Sequence, residues 1–225
     1  MVGKAFPSRI RGFAMYLFSR RTRLAGGNGM AGVEWAVGIG AMVKEITGHD
    51  VELWANVHSP GYGTISWTAW FENLTALEAM SDQLAADPSY NEMANAGAAF
   101  TEGGIDDGVV QPIHGAPDPD RPVQYVSGAT ALIAGGNFER AIGVGIQLVE
   151  HGEAITGIPS MFVRALTGPY GSVGWLTGYE SLAEMEKAND AQAADPTMLK
   201  LIDSTEGCFV EDAGATQTTL YRKLA

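Results

Sequence analysis

Three side chains suited to ligand binding and proton transfer stand at alternate positions of one short segment. Trp54, Asn56 and His58 fall within residues 51–58, where apolar and polar residues alternate. This alternation predicts a β-strand that presents the three side chains on one face. His58 is the candidate catalytic acid or base, because an unperturbed histidine titrates near neutral pH. Asn56 is the candidate for holding a substrate carbonyl or enolate oxygen, and Trp54 for stacking on a planar ring.

Each of these side chains also has a simpler interpretation. His58 is next to a turn, where a histidine is often merely solvated, and Trp54 is large enough to serve only in packing. Trp67 and His114 complete the set of candidate substrate-binding residues. The sequence contains none of the standard nucleotide-binding, hydrolase or metalloprotease motifs.

Three arginines near the end of a predicted strand, residues 13–24, form a candidate anion-binding rim. Arg20, Arg21 and Arg23 belong to a basic N-terminal region with six Lys and Arg and no acidic residue in its first 23 positions. The rest of the chain therefore carries a net charge of −18, against −12 for the whole. The alternative is a basic arm that lies on the acidic body of the same chain.

The elements that would position these residues follow one plan twice. A strand is followed by a helix over residues 30–47, a hairpin formed by residues 51–58 and 64–71, a helix over 74–86 and a last strand over 109–114. The order β-α-β-β-α-β is that of a ferredoxin-like unit. The second half repeats it after a linker rich in proline.

The repeat is visible in the residues themselves. Residues 85–90, AADPSY, return as AADPTM 108 positions later, and Trp67 and Phe71 return as Trp175 and Tyr179. Matches further upstream are spaced by 109, which indicates one residue lost in a loop. Because this period is the length of a small domain, we interpret the chain as a duplicated fold. We expect an N-terminal arm at 1–12, a first unit at 13–115, a linker at 116–122 and a second unit at 123–225.

The two halves differ at the candidate site. At matched positions Arg20, Arg21 and Arg23 become small or apolar residues, and so do the three residues of the strand segment. The replacements are Ala129, Thr130 and Leu132 for the arginines, and Val163, Ala165 and Thr167 for Trp54, Asn56 and His58. We therefore predict a single functional site, located in the first half.

Composition limits the classes of partner. A strongly acidic chain is unsuited to binding nucleic acid, since phosphates require clustered Lys and Arg. The absence of an apolar run of eighteen residues argues against a membrane span. A single cysteine, Cys208, forms no intramolecular disulfide, which favours a reducing cytoplasm. The four histidines are too scattered to indicate a metal site.

The repeated plan resembles the dimeric α/β-barrel superfamily. The resemblance rests on the hairpin, the aromatic-Glu-x-Leu start of the next helix and the Ala-Asp-Pro break after it, in both halves. Antibiotic-biosynthesis-type monooxygenases and NIPSNAP-like proteins share this plan. The resemblance implies an α+β fold in which two tandem ferredoxin-like units pack their antiparallel sheets face to face as one barrel.

The resemblance also implies the range of functions. The first is a small-molecule enzyme of secondary metabolism, a monooxygenase or cyclase without cofactor that acts on an aromatic or polyketide-like substrate. The second is a haem-binding enzyme, for which His114 or His151 is a candidate axial ligand. The third is a non-catalytic ligand-binding or assembly protein. In each case the partner is a small hydrophobic or aromatic molecule, and a homodimer is a further expectation.

Overall fold

The computed structural model describes residues 15–212 and 214–225. The predicted basic arm at residues 1–12 and the first positions of the predicted strand at 13–24 lie outside the described residues. Within them the chain forms eight strands and six α-helices, which confirms the α+β class. No helix of this described part combines the length and the apolar character needed to cross a membrane.

Strands β1 to β8 follow one another in chain order with these bounds: β1 Tyr16–Leu24, β2 Glu52–Asn56, β3 Thr64–Phe71, β4 Thr101–His114, β5 Tyr125–Leu132, β6 Ser160–Ala165, β7 Ser172–Tyr179 and β8 Gln217–Lys223. The helices are α1 Gly29–Thr47, α2 Leu74–Ala86, α3 Pro88–Ala96, α4 Phe138–Thr156, α5 Leu182–Ala194 and α6 Pro196–Asp203. The hydrogen-bonded strand order is β4-β1-β3-β2-β8 in the first half of the sheet and β5-β7-β6 in the second.

Contacts divide the described chain into two compact units. One contains residues 15–110 together with 219–225, and the other contains residues 111–218. By its contacts most of β8 therefore belongs with the first unit, although it is the last strand in sequence. The boundaries predicted from the sequence, at 13–115 and 123–225, remain a prediction.

The first unit packs its helices on one face of an antiparallel sheet. Strand β1 pairs with β3 and β4, and β2 pairs with β3 and β8. The buried core unites Leu53, Ile65 and Trp67 of the sheet with Ile39 and Val43 of α1. Because side chains alternate along a strand, the residues between these apolar ones point to the opposite face.

The second unit has the same arrangement. Strand β5 pairs with β7 and β7 with β6, both antiparallel. Its core contains Phe162 of β6 and Val144 of α4, with Cys208 fully buried among them. Cys208 thus serves in packing.

Registers and helix ends correspond between the units. Tyr16 lies opposite Phe71 across β1 and β3, as Tyr125 lies opposite Tyr179 across β5 and β7. Helices α1 and α4 have 19 residues each, and both end at a glycine in the left-handed region. These correspondences support the duplication that the sequence predicts.

The repeated Ala-Asp-Pro phrase has a local structural cause. Asp87 and Asp195 each end one helix and cap the next, with a proline in the first turn. The Oδ1 atom of Asp87 accepts a hydrogen bond from Tyr90 N at 2.9 Å, and that of Asp195 accepts one from Met198 N at 2.7 Å. A carboxylate at this position satisfies amide groups that have no partner within the helix.

Candidate functional site

One face of the first unit's sheet is lined by polar side chains. It is the face opposite to the α1 core, and its members lie opposite one another in register across β1, β3, β2 and β8. We call it the polar face and define it by Ser19, Arg21, Glu52, Trp54, Asn56, Ser66, Thr68, Tyr221 and Lys223.

Two buried polar atoms on the polar face have no hydrogen-bond partner. They are Asn56 Oδ1 and Ser66 Oγ, in residues that are 9% and 3% exposed. The amide nitrogen of Asn56 donates to Pro60 O at 3.3 Å, so its unpartnered atom is a hydrogen-bond acceptor. Leaving such an atom unsatisfied costs roughly 1–3 kcal/mol. Each of these atoms is able to bind a polar group of a ligand or a water molecule.

Trp54 is at the centre of a connected group on this face. Its indole Nε1 donates to Thr68 Oγ1 at 3.1 Å, and Lys223 Nζ lies 5.6 Å from its ring centroid. Lys223 in turn donates to Glu52 Oε1 at 2.6 Å. With only 6% of its surface exposed, Trp54 has little ring area free for a ligand in this state. The stacking of Trp54 on a planar substrate ring remains a prediction.

The prediction that His58 shares the strand face with Trp54 and Asn56 is wrong. Strand β2 ends at Asn56, and His58 lies in the following turn with an exposed side chain. Its φ of 49° is in the left-handed region, which interrupts the alternation of the strand. A catalytic role for His58 remains a prediction without a supporting contact.

The three arginines do not form one rim. Arg20 points to the helix-covered face, where its guanidinium binds both carboxylate oxygens of Asp107 at 2.8 and 2.7 Å. The hydrogen bond to Asp107 raises the pKa of Arg20 above its ordinary value. Arg23 pairs with Glu102 at 2.9 Å. Arg21 is exposed on the polar face, and no residue of the described chain pairs with its side chain.

Neither Trp67 nor His114 lies on the polar face, and their part in substrate binding remains a prediction. Trp67 belongs to the α1 core, is 7% exposed, and donates from Nε1 to Ala36 O at 2.9 Å. It is a packing residue that holds the helix on the sheet. His114 is in the second unit, 3.5 Å from the carboxylate of Glu150.

The corresponding face of the second sheet has a different character. Its residues at the positions equivalent in register are mostly small or apolar, where the polar face has hydroxyl, amide and charged groups. Met161, Val163, Gly174 and Leu176 take the places of Glu52, Trp54, Ser66 and Thr68. The predicted difference in polarity between the halves therefore holds for four matched positions of the polar face and not for Trp54 alone.

The polar face does not fit a haem ligated by histidine. None of its members is a histidine, which is a common protein ligand of haem iron. His49 packs on Phe71 at 4.8 Å between ring centroids, and His151 lies 2.9 Å from Asp195. Among the described residues no cluster of three His, Cys, Asp or Glu side chains could hold a metal ion.

Sequence reasoning missed Ser66, Thr68, Glu52 and Lys223. The alternation of Thr64, Ser66 and Thr68 with apolar residues in β3 was a signal that could have identified two of them. Lys223 could not be found in this way, because its position beside Trp54 depends on the pairing of β8 with β2.

Comparisons with known proteins identify the fold. No protein-family model and no curated protein matches the chain. Among solved structures, a candidate monooxygenase from Fusobacterium nucleatum is 7% identical with a TM-score of 0.68, covering 95% of this chain and 94% of its own. An anthrone oxidase-like protein is 10% identical with a TM-score of 0.64, at 96% and 93% coverage. A heme-binding protein from Thermus thermophilus is 12% identical with a TM-score of 0.51, at 95% and 92% coverage.

These likenesses span nearly the whole chain and show a fold in common with these proteins, in agreement with the α/β-barrel plan that the resemblance implies. At such low identity they concern the fold alone. The narrower likeness to antibiotic-biosynthesis-type or NIPSNAP-like units remains a prediction.

Proposed function

We propose that this chain is a small-molecule enzyme of the cofactor-independent monooxygenase or cyclase type, acting on an aromatic or polyketide-like substrate at the polar face. The observation that carries the proposal is the pair of buried, unpartnered atoms Asn56 Oδ1 and Ser66 Oγ. The likeness to a candidate monooxygenase and to an anthrone oxidase-like protein supports the reaction class through the fold.

The chemistry requires little from the protein. An electron-rich aromatic, once deprotonated, reduces oxygen itself, and a ring CH₂ becomes C=O as O₂ supplies one oxygen to the product and one to water. The protein binds the substrate, excludes water and moves a proton. The cyclase alternative uses the same base and the same binding groups but consumes no oxygen.

The polar face determines how a substrate would bind. Because the unpartnered atom of Asn56 is an acceptor, it fits a substrate hydroxyl that donates a hydrogen bond. The role predicted from the sequence, holding a carbonyl or enolate oxygen, would use the amide nitrogen of Asn56, which donates to Pro60 O. The hydroxyl of Ser66 is able to donate or accept. Since neither atom is accessible to water here, side chains of this face must shift when a ligand enters.

Oxygen uptake with anthrone tests the proposal. The wild-type protein should consume oxygen, and Asn56→Ala and Ser66→Ala should each lower the rate by about tenfold, the equivalent of one hydrogen bond. Thr130→Ala, on the corresponding face of the second sheet, is the matched control and should keep the wild-type rate. Equal rates in all four proteins would contradict the assignment of the site, and binding without oxygen uptake would favour the cyclase or the non-catalytic alternative.

A haem-binding enzyme is the second candidate, supported by the likeness to a heme-binding protein from Thermus thermophilus. Its candidate ligands are His114 and His151, each of which lies beside a carboxylate. Titration with haem distinguishes the two proposals. A stoichiometric complex with an intense Soret band that is lost in His114→Ala or His151→Ala would favour this second function.

A further inference from the structure

An ion pair lies beside Trp54 on the polar face, close to the residues to which the proposed function assigns substrate binding. Lys223 Nζ donates to Glu52 Oε1 at 2.6 Å, with 33% and 40% of the two side chains exposed. Lys223 lies opposite Trp54 in register, and Glu52 precedes Trp54 by two residues on the same face. The last strand of the chain thus delivers a cation to the first sheet.

The pair is well placed to act on a ligand held by Asn56 and Ser66. Along a strand, residues on one face are about 7 Å apart, so Glu52 and Asn56 flank Trp54 at similar distances. Glu52 and Asn56 are therefore about 13 Å apart, a length that a planar molecule of three linearly fused rings with a polar group at each end spans. One end would meet the acceptor of Asn56 while the other meets the Glu52–Lys223 pair.

We propose that Glu52 is the general base of this site and that Lys223 stabilises the anion formed; this rests on the proposed function. The O–H or C–H bond of the substrate breaks, its electron pair stays on the substrate, and the proton forms an O–H bond with the Glu52 carboxylate. Glu52 becomes neutral, so the positive charge of Lys223 is left facing the substrate anion. Before the transfer Lys223 pairs with the Glu52 carboxylate, and after it Lys223 pairs with the substrate anion. The net charge of the site does not change.

A second ion pair in the same unit provides a comparison. Arg23 and Glu102 are joined at 2.9 Å, but their side chains are 60% and 52% exposed. Pairs of that kind contribute little to stability and are common on surfaces. Glu102→Gln therefore serves as the matched control for Glu52→Gln.

The experiment uses 4-nitrophenol, whose phenolate absorbs visible light and whose neutral form does not. It is titrated into the full-length protein in weak buffer at a pH where the free probe is mainly neutral, while absorbance and proton release are recorded. The wild-type protein should bind the phenolate without releasing a proton, because Glu52 retains it. Glu52→Gln should bind the phenolate and release the proton to solvent. Lys223→Met should bind the neutral phenol about tenfold more weakly, and Lys223→Arg should restore the phenolate band.

The outcomes separate this inference from the proposed function. If Glu52→Gln and Lys223→Met match the wild type and Glu102→Gln in spectrum and proton release, the ion pair has no role in the chemistry and the inference fails, while Asn56→Ala and Ser66→Ala still test the site. If the wild-type protein binds the neutral phenol, the inference fails in the same way. If the probe does not bind at all, the ion pair offers no site for the anion and the inference fails, while oxygen uptake by Asn56→Ala and Ser66→Ala still tests the proposed function.

Discussion

Trp54 lies directly opposite Ser66 across β2 and β3, whereas at the equivalent positions of the second unit Val163 lies opposite Gly174 across β6 and β7. The two units pair these strands in the same register, but the side chains at the paired positions differ in polarity. In the second unit the position contains no side-chain polar atom, while Ser66 buries a hydroxyl without a partner. The fold therefore does not require the hydroxyl, which supports a role in ligand binding.

The first prediction concerns the stability of the ligand-free protein. Ser66→Ala removes a buried hydroxyl that has no partner, so the free energy of unfolding should stay unchanged or rise by about 1–3 kcal/mol. Urea denaturation followed by circular dichroism measures it. Thr68→Ala is the control, because the hydroxyl of Thr68 accepts a hydrogen bond from Trp54 and its loss should destabilise by about 1 kcal/mol. Strong destabilisation by Ser66→Ala would show that Ser66 is structural.

The second prediction tests the equivalence of the two units. Trp67 donates to Ala36 O at 2.9 Å, and Trp175 donates to Gly145 O at 3.1 Å, so each tryptophan ties a helix to its sheet. Trp67→Phe and Trp175→Phe should therefore destabilise by similar amounts, about 1–3 kcal/mol, as the helix carbonyl loses its partner. Thermal denaturation compares the two. A large cost for one and none for the other would argue that the units are not equivalent.

The sequence predicted the fold well because its signals are local. Each signal involves residues within about one helical turn of each other. Ile39 and Val43 form the buried stripe of α1, Gly48 ends that helix, and Asp87 separates α2 from α3. The repeat added long-range information by predicting that the plan occurs twice. The predicted homodimer is not addressed by these signals and stays a prediction.

The candidate site was predicted less well, because the face of the sheet to which a side chain points depends on where the strand ends. Strand β2 ends at Asn56, two residues before His58, so the side chain of His58 does not lie on the same face as those of Trp54 and Asn56. Arg20 and Arg21 are adjacent in sequence, so alternation places them on opposite faces. Lys223 reaches the site only through the pairing of strands that are more than 160 residues apart in the chain, which no local pattern reveals.

The third prediction is a pH dependence of stability from the second unit. The hydrogen bond from Arg121 at 2.5 Å lowers the pKa of Glu184 below its ordinary value of 4.5. Because the pKa is lower in the folded state than in the unfolded state, the pair stabilises the fold above the unfolded value and ceases to do so as the pH falls through the folded value. Glu184→Gln should cost at most about 1 kcal/mol near neutral pH and nothing in strong acid. Denaturation at several pH values measures this, with the exposed Glu186→Gln as the control; a pH-independent difference would contradict the account.

The fourth prediction concerns the helix break that occurs in both units. Asp87→Ala and Asp195→Ala each remove a cap, so each should cost about 0.5–2 kcal/mol of stability. Asp195→Asn keeps a capping side chain but removes the carboxylate that lies 2.9 Å from His151, and it should cost less than Asp195→Ala. Chemical denaturation of the three variants provides the comparison. If asparagine is as harmful as alanine, the contact with His151 outweighs the cap.

The central claim is that the polar face of the first unit is the ligand site. Calorimetric titration with 1-naphthol, compared with 1-methoxynaphthalene, tests it most directly, because the ether keeps the rings but cannot donate a hydrogen bond to Asn56. We expect 1-naphthol to bind the wild-type protein about tenfold more tightly than the ether, and Asn56→Ala to abolish this difference while retaining its fold. If the wild-type protein does not distinguish the two compounds, or Asn56→Ala distinguishes them as well as the wild type does, the polar face is not the site.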